Sequence, residues 1–239
     1  MPPVGPEYGF GLYVHWPYCA RICPYCDFNV YAAKDRDAEP LLDAIIADIR
    51  SHRARLPEHP ALDSVFLGGG TPSLLSASQI GRLLDAVNDA FDISQHSEIT
   101  LETNPNDVLR NSAQEWRDVG VNRLSLGVQS LDDAALSFLG RDHNADNARA
   151  ALDKVQAVFD NHSVDLIYAR PEQSLDAWDS ELREVLSLGA PHLSLYELTI
   201  EERTAFGKRA ARREIAPMPY DDQAELLELT QRIYAEHGP

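Results

Sequence analysis

Three cysteines near the start of the chain are the residues best suited to chemistry. Cys19, Cys23 and Cys26 have the spacing C-x3-C-x2-C, and the sequence contains no further cysteine. An odd, clustered set of thiols in a chain without a visible secretion signal argues against a disulfide framework. The motif therefore favours metal ligation or redox chemistry.

The residues alone leave three interpretations of this motif. Offsets of zero, four and seven match one face of a helix, which would make the thiols small core side chains, but Pro17 and Pro24 favour a loop instead. A zinc site needs four ligands, so a distant His15 or His143 would have to complete it. A [4Fe–4S] cluster accepts three thiolates and leaves one iron without a protein ligand, where a small molecule can chelate. We favour the cluster.

The elements that must position these thiols are short apolar strands alternating with helices. The strands are predicted at residues 11–15, 64–67, 98–102, 123–127, 163–167 and 192–196. Alternation every ~30–40 residues implies parallel pairing with right-handed crossovers. We therefore predict an α/β fold, namely a partial (β/α)6 barrel, with an open doubly wound sheet as the alternative.

The chain is expected to divide near its end. Residues 1–199 are predicted to form the partial barrel, and residues 200–239 a flap and a helix that begin a C-terminal region not present in the sequence. Within that part, residues 200–221 are rich in charge and proline and are expected to be irregular.

Unusual side chains stand at the ends of these strands, which meet on one face of a parallel barrel. Gly68-Gly69-Gly70-Thr71-Pro72 follows the second strand, and we expect the amides of this run to face a ligand. Glu102 ends the third strand, Gln129 lies beyond the fourth and Asp165 lies within the fifth. Each alone fits a turn or cap residue, but together they predict a ligand site beside the cysteines.

The ligand chemistry follows from these groups. Glu102 and Asp165 can accept hydrogen bonds from the vicinal hydroxyls of a ribose. Arg141 offers a guanidinium fork suited to a carboxylate, although an Arg at this position also fits a solvated surface.

Charge and hydropathy limit the partners. The sequence has 38 acidic against 21 basic side chains, a formal net charge of −17, which disfavours nucleic acid and anionic membrane surfaces. No stretch approaches 18 uncharged apolar residues, so no membrane span is predicted. Residues 1–7 have neither a basic region nor an apolar run, so we expect no signal peptide and a cytosolic location.

The cysteine motif follows a strand, has Tyr25 beside its last cysteine, and resembles that of the radical S-adenosylmethionine (SAM) superfamily. The resemblance implies that SAM binds the open iron through its amino and carboxylate groups. It also implies that an electron from the cluster cleaves the sulfonium bond of SAM to give a 5′-deoxyadenosyl radical.

Longer blocks resemble the oxygen-independent coproporphyrinogen III oxidase family of that superfamily. The blocks are residues 13–29, 66–72, 101–105, 123–130 and 164–168, and the match extends from about Gly11 to the end. The resemblance implies that Cys19, Cys23 and Cys26 bind the cluster. It implies that the residues around SAM are Tyr13, Tyr25, Gly69, Gly70, Thr71, Glu102, Gln129, Arg141 and Asp165.

Two departures point to the heme-chaperone branch of this family, called HemW. Phe28 stands where the oxidases have a further cysteine, and Trp16 replaces a smaller aliphatic residue. The resemblance then implies binding of heme and its delivery to acceptor proteins such as respiratory enzymes. The alternative is SAM-dependent oxidative decarboxylation of coproporphyrinogen III. Whether the protein is an enzyme stays open, with the chaperone favoured.

Two further departures concern heme itself. The family pattern Gly-Leu-Pro-Gly is replaced by residues 169–172, Ala-Arg-Pro-Glu, which adds Arg170 near the expected cavity mouth, to meet either a heme propionate or solvent. The heme-associated motif H-N-x-x-Y-W is lacking, because His143-Asn144 is followed by Ala-Asp-Asn-Ala. No heme ligand is therefore assigned.

Overall fold

The computed structural model describes residues 9–34, 36–56 and 61–237. Residues 1–8, on which the expectation of no signal peptide rests, lie outside the described ranges. The strands are β1 (Gly11–Trp16), β2 (Tyr18–Cys19), β3 (Tyr31–Ala32), β4 (Leu62–Gly69), β5 (Ile93–Thr103), β6 (Arg123–Gln129), β7 (His162–Tyr168) and β8 (His192–Glu197). The α-helices are α1 (Glu39–Arg55), α2 (Ala77–Phe91), α3 (Pro105–Arg110), α4 (Ala113–Asp118), α5 (Asp133–Phe138), α6 (Ala145–Gln156), α7 (Leu175–Ser187), α8 (Ala205–Ala211) and α9 (Tyr220–His237).

Six of these strands form one sheet in the order β1-β4-β5-β6-β7-β8, and every neighbouring pair is parallel. Chain order and spatial order coincide, as expected when each crossover runs in the same direction. The predicted α/β fold, a partial (β/α)6 barrel, is confirmed. The short strands β2 and β3 pair separately and enclose the cysteine segment.

Alternation along the strands creates a core face and a polar inner face. On β1, Val14 and Trp16 are buried in the main hydrophobic core, whereas Tyr13 and His15 lie on the opposite face. The helices add their apolar stripes to the core; α2, for example, begins at a capping box made by Ser76 and Gln79. The inner face carries the polar side chains Thr100, Glu102, Ser125, Ser163 and Asp165. The strand residues predicted to contact a ligand therefore lie on the same side of the sheet.

The C-terminal part packs on this barrel. Trp178 of α7 is buried and donates a hydrogen bond from its indole Nε1 to Thr230 Oγ1 of α9 at 2.8 Å. Leu226 and Ile233 of α9 belong to the main core. No helix in the described ranges is long and apolar enough to cross a membrane.

The prediction of an irregular segment at residues 200–221 is wrong, because it contains α8. Thr204 caps this helix through the amide of Gly207. Phe206 is buried, and its amide donates to the carbonyl of Pro24 at 2.8 Å. The high charge of the segment concealed the one aromatic side chain that docks the helix on the cysteine loop.

Arg170 does not reach the cavity, which corrects the expectation that it meets a propionate or solvent there. Its side chain is buried and pairs with Glu181 of α7 at 2.7 Å, and it also donates to the carbonyl of Ile167 at 2.9 Å. Glu181 in turn accepts from Ser130 Oγ and from the amide of Leu131. This buried pair joins the ends of β6 and β7 to α7.

The turn that carries Arg170 yields a stability prediction. Glu172 has a left-handed backbone conformation with φ +63° and is exposed, and such a conformation costs an L residue about 1–2 kcal/mol. We expect Glu172→Gly to raise the free energy of unfolding in urea by about 1 kcal/mol. Glu172→Ala, which keeps Cβ, should give no such gain. If the glycine variant were less stable than the parent protein, the inference of backbone strain at Glu172 would be contradicted.

Candidate functional site

The cysteine segment is a loop held closed at its base. The amide of Tyr31 donates to the carbonyl of Pro17 at 2.8 Å, and that of Ala33 donates to the carbonyl of Cys19 at 2.7 Å. Between these bonds the described residues contain no helix, so the interpretation of the thiols as one helix face is wrong. Cys19 is buried, the other two cysteines are half-buried, and all three are free thiols.

The three thiols influence one another. Burial raises the pKa of Cys19 and of Cys26; the charge of Cys23 raises both pKa values further, and Cys26 adds to the effect on Cys19. The guanidinium of Arg141 acts in the opposite direction on each of these pKa values. Three thiolates this close need a cation for compensation, and metal binding supplies one while releasing the protons.

The geometry disfavours the zinc interpretation. Within the described ranges, no group of three or more His, Cys, Asp or Glu side chains is arranged to hold a single ion, as tetrahedral zinc requires. Neither of the two candidate fourth ligands lines the cavity, and each has a ring Nε2 hydrogen-bonded to a carbonyl oxygen, His15 to Asn29 and His143 to Val128. A four-iron cube makes no such demand, because each thiolate binds a different iron.

The cysteines open into a cavity of about 450 Å³ at the carboxyl ends of the strands. Its walls bring together all three cysteines and, apart from Tyr13, every residue predicted to surround SAM. Those lining residues are Tyr25, Gly69, Gly70, Thr71, Glu102, Gln129, Arg141 and Asp165. The strand-end prediction therefore describes one continuous site.

Tyr13 lies elsewhere on the inner face. Its ring stacks on Phe66 with centroids 6.0 Å apart, and its hydroxyl is 3.2 Å from His15 Nδ1. The side chain is 56% exposed and does not line the cavity. Burial raises the pKa of Tyr13, and the charge of Glu102 raises it further, so Tyr13 stands next to the cavity wall without lining it.

Two buried acceptors in the cavity lack partners. Asp165 Oδ2 accepts from Ser125 Oγ at 2.8 Å, but in the part of the chain that the structure describes neither Asp165 Oδ1 nor Gln129 Oε1 has a partner. Native proteins rarely leave buried acceptors unpaired. A ligand with hydroxyl or amino donors, such as the ribose and amino group of SAM, fits these atoms.

Glu102 adds a second carboxyl to this wall. Its Oε2 accepts from the amide of Gly69 at 2.9 Å. Burial raises the pKa of Glu102 to about 7, and the nearby Asp165 also raises it, against the opposing effect of the Gly69 amide. Burial likewise raises the pKa of Asp165. Perturbed carboxyls in a cavity are typical of a functional site.

Because its pKa is raised, ionisation of Glu102 is expected to lower the free energy of unfolding of the cofactor-free protein as the pH rises. Between about pH 4.5 and pH 7 the unfolded chain releases this proton while the folded chain retains it, so stability falls as the pH rises through that window. We expect Glu102→Gln to be more stable than the parent at pH 8 by about 1–2 kcal/mol and nearly equal at pH 4.5, measured by urea unfolding. Glu197→Gln, an exposed carboxylate at the cavity rim, should change little. An equal offset at both pH values would contradict the assignment.

The glycine run has a different role from the one predicted. Its amides do not face a ligand: that of Gly69 donates to Glu102, that of Gly70 to the carbonyl of Trp16 at 2.6 Å, and that of Thr71 to the carbonyl of Tyr18 at 2.8 Å. A Cβ on Gly70 would lie 2.8 Å from both of those carbonyl oxygens. Glycine is therefore required there for the run to dock against the cysteine loop.

Arg141 also differs from the prediction of a free fork. One terminal nitrogen donates to Cys23 Sγ at 3.3 Å, and the other donates to Asn104 Oδ1 and to the carbonyl of Gly127. Of its guanidinium nitrogens, Nε alone is buried without a partner among the described residues. Both terminal nitrogens are therefore already engaged, and a carboxylate ligand would not meet a free fork.

Sequence reasoning missed several residues of the cavity. Asn104, Ser125 and Tyr196 line it. Tyr196 stands near the end of the sixth strand, so the strand-end rule applied to that strand would have found it. The rim also carries exposed apolar groups: Ile22 is 44%, Phe28 65% and Tyr196 58% exposed.

Comparison with known proteins is consistent with this arrangement. The model of the Radical SAM superfamily matches residues 13–185. The mitochondrial radical S-adenosyl methionine domain-containing protein 1 of Dictyostelium discoideum is 39% identical, over 92% of this chain and 54% of its own length. Heme chaperone HemW of Haemophilus influenzae is 38% identical, over 93% of this chain and 57% of its own length. The chain thus spans little more than half the length of these relatives.

A solved structure extends the likeness to the fold. Coproporphyrinogen III oxidase (HemN) from Escherichia coli, a radical SAM enzyme, superposes with a TM-score of 0.81 at 28% identity, covering 98% of this chain and 54% of the oxidase.

Proposed function

The chain belongs to the radical SAM superfamily, and from this premise we propose that it is a heme chaperone that binds a [4Fe–4S] cluster, SAM and heme and delivers heme to acceptor proteins such as respiratory enzymes. Relatives described as heme chaperone HemW support this, at 38% identity in Haemophilus influenzae and 35% in Lactococcus lactis. Membership of the superfamily itself implies the cluster and SAM.

The residues of this chain divide the work of holding the cofactors. Cys19, Cys23 and Cys26 would ligate three irons. Asp165 and Gln129 would accept hydrogen bonds from SAM through their unpaired oxygens, and Tyr25, Gly69, Gly70, Thr71, Glu102 and Arg141 would complete the wall. When bound, the cluster and SAM supply one-electron chemistry at the sulfonium of SAM. Tyr13, which is close to Glu102 but outside the cavity lining, would contribute to the SAM site from its edge.

The position and exposure of Phe28 are the main reason to prefer a chaperone over an oxidase. It stands where the resembling oxidases have a further cysteine, and it is 65% exposed while lining the cavity. Together with Ile22 and Tyr196 it gives the rim an apolar surface, the kind that packs on a planar macrocycle. His143-Asn144 serves the fold instead, because His143 bonds to a carbonyl oxygen and Asn144 caps α6.

Heme binding and transfer test this proposal. The cluster is reconstituted under anaerobic conditions, heme is added, and the absorbance is followed before and after addition of an apo-acceptor. We expect a stable heme complex that survives gel filtration and gives up its heme to the acceptor. Phe28→Ala should weaken heme binding while iron and sulfide contents stay unchanged. If the protein contains a complete cluster and does not bind heme, the chaperone proposal is overturned.

The alternative is an oxygen-independent coproporphyrinogen III oxidase, which the likeness to HemN favours. The reduced, cluster-loaded protein is incubated with SAM and coproporphyrinogen III, and the products are separated by chromatography. A chaperone leaves the substrate unchanged. Formation of protoporphyrinogen would replace the chaperone proposal by the oxidase.

We also propose a cytosolic location and a division of labour along the chain. Three free thiols suit a reducing compartment. Residues 1–199 would hold the cofactors, and residues 200–239 would act as a flap and a helix. Fractionation of cells that express the protein tests the location, and recovery with membranes would contradict it.

A further inference from the structure

We propose that Asn104 is a positioning residue that aims two hydrogen-bond donors at the cysteine ligands and thereby sets the reduction potential of the bound cluster. This inference rests on the proposed cluster site and concerns how this chain tunes it. Asn104 has no counterpart in the functional residues predicted from the sequence, although it lines the cavity.

The first observation is that Asn104 does not do what its position suggests. It is the N-cap of α3, where an asparagine side chain ordinarily accepts from a backbone amide, yet it makes no such bond. The side chain points to the cavity wall instead. The helix start is thus left without a side-chain cap, which indicates that the amide group serves another purpose.

The second observation is the set of partners that fixes the amide. Its Oδ1 accepts from a terminal nitrogen of Arg141. Its Nδ2 lies 3.4 Å from Thr71 Oγ1 and 3.5 Å from Asp107 Oδ2. Asp107 is buried and is itself held by Ser73 Oγ at 3.0 Å. A carboxylate on one side and a guanidinium on the other orient the amide unambiguously.

The third observation is that both partners reach cysteines. Arg141 donates from its other terminal nitrogen to Cys23 Sγ at 3.3 Å. Thr71 stands beside Cys19, close enough for its hydroxyl to lower the pKa of that thiol against the larger, opposite effect of burial. Hydrogen bonds therefore run from Thr71, the neighbour of Cys19, through Asn104 and Arg141 to Cys23.

The chemical consequence concerns the electron that the cluster accepts. Hydrogen bonds to the ligand sulfurs and nearby positive charge stabilise the more negative, reduced cluster. Loss of the Asn104 side chain removes one of the two partners of Arg141 Nη2, leaving the carbonyl of Gly127, and removes the amide contact of Thr71, so both donors are held less firmly toward the sulfurs. We expect about a tenfold loss in affinity for the electron, which equals a potential about 59 mV more negative.

The test is an EPR-monitored redox titration of the reconstituted protein without SAM. Asn104→Leu removes both polar groups at similar volume, and Asn104→Ser, a residue favoured at N-caps, serves if the leucine variant does not fold. Both variants should show the more negative potential at full iron and sulfide content. Thr71→Val removes the Cys19 branch directly, so the effect of Asn104→Leu should be smaller in that background.

Asn106 provides the matched control. It lies on the same helix and donates to the carbonyl of Asp142, the neighbour of Arg141, at 2.7 Å, without contact to the cavity. Asn106→Ala should leave the potential unchanged. A parental potential in both Asn104 variants, or an equal shift in Asn106→Ala, would overturn the role of Asn104. Failure of the parent protein to take up iron and sulfide would instead defeat the proposed function.

Discussion

Replacement of any one of the three cysteines by alanine is expected to reduce retained iron and sulfide to about background after anaerobic reconstitution and gel filtration. The physical reason is that each thiolate ligates its own iron, and no other cysteine in the sequence can replace it. Because Cys23 and Cys26 are only half-buried, their loss should cost the cofactor-free fold little, which separates loss of the cluster from loss of the fold.

Phe28→Ala is the control for these cysteine variants. Phe28 lies in the same loop, two residues beyond the last cysteine, and is largely exposed. Its removal should leave iron and sulfide contents at the parental level. Full cluster content in Cys23→Ala, checked by iron and sulfide analysis and by the charge-transfer absorbance, would contradict the assignment of that thiol as a ligand.

Asp165→Asn is expected to weaken SAM binding by about 10- to 100-fold, the effect of losing a charge-assisted hydrogen bond in a buried site. Among the described residues, Asp165 Oδ1 has no hydrogen-bond donor, whereas Oδ2 already accepts a hydrogen bond from Ser125. The asparagine keeps the volume but presents a weaker acceptor or a donor in this place. Equilibrium dialysis against the cluster-loaded protein measures the dissociation constant.

The same substitution should stabilise the cofactor-free protein above neutral pH, because burial raises the pKa of Asp165 and ionisation of the folded state is costly. A gain in stability coupled to a loss in affinity is typical of a binding residue. Glu201→Gln, an exposed carboxylate at the cavity rim, should alter SAM binding less than about twofold. Parental affinity in Asp165→Asn would exclude a direct contact.

The sequence determined the architecture well because its signals were local. Apolar strands and helical stripes predicted the six parallel strands, and the proline pair kept the cysteines out of a helix. The rule that strand ends share one face then placed Glu102, Gln129 and Asp165 beside the thiols, where the structure has them. Each of these inferences needs only residue type, spacing and chain direction.

What the sequence could not determine was the direction and pairing of individual side chains. Arg170 and Arg141 each lie just beyond the end of a regular element. Arg170 is buried against Glu181, whereas Arg141 reaches Cys23. The left-handed backbone at Ala169 turns the chain there, and alternation along a strand does not extend through such a turn. Partners far apart in the chain decide where a polar side chain points.

The glycine run and α8 show the same limit. Glycine permits close approach, but the approaching groups are the carbonyls of Trp16 and Tyr18 rather than a ligand. In α8, a single buried Phe206 outweighs the polar composition around it. Composition indicates where a chain is flexible or exposed, whereas packing on a distant loop is visible only in three dimensions.

We propose that the three thiols hold a four-iron cube with one iron open to SAM. The most direct test of this claim is an EPR spectrum of the reduced, reconstituted protein with and without SAM, alongside iron and sulfide counts. We predict about four iron and four sulfide per chain and a reduced-cluster signal whose g-values change when SAM is added. Zinc without sulfide, or a complete cluster whose signal is unaltered by saturating SAM, would contradict the claim.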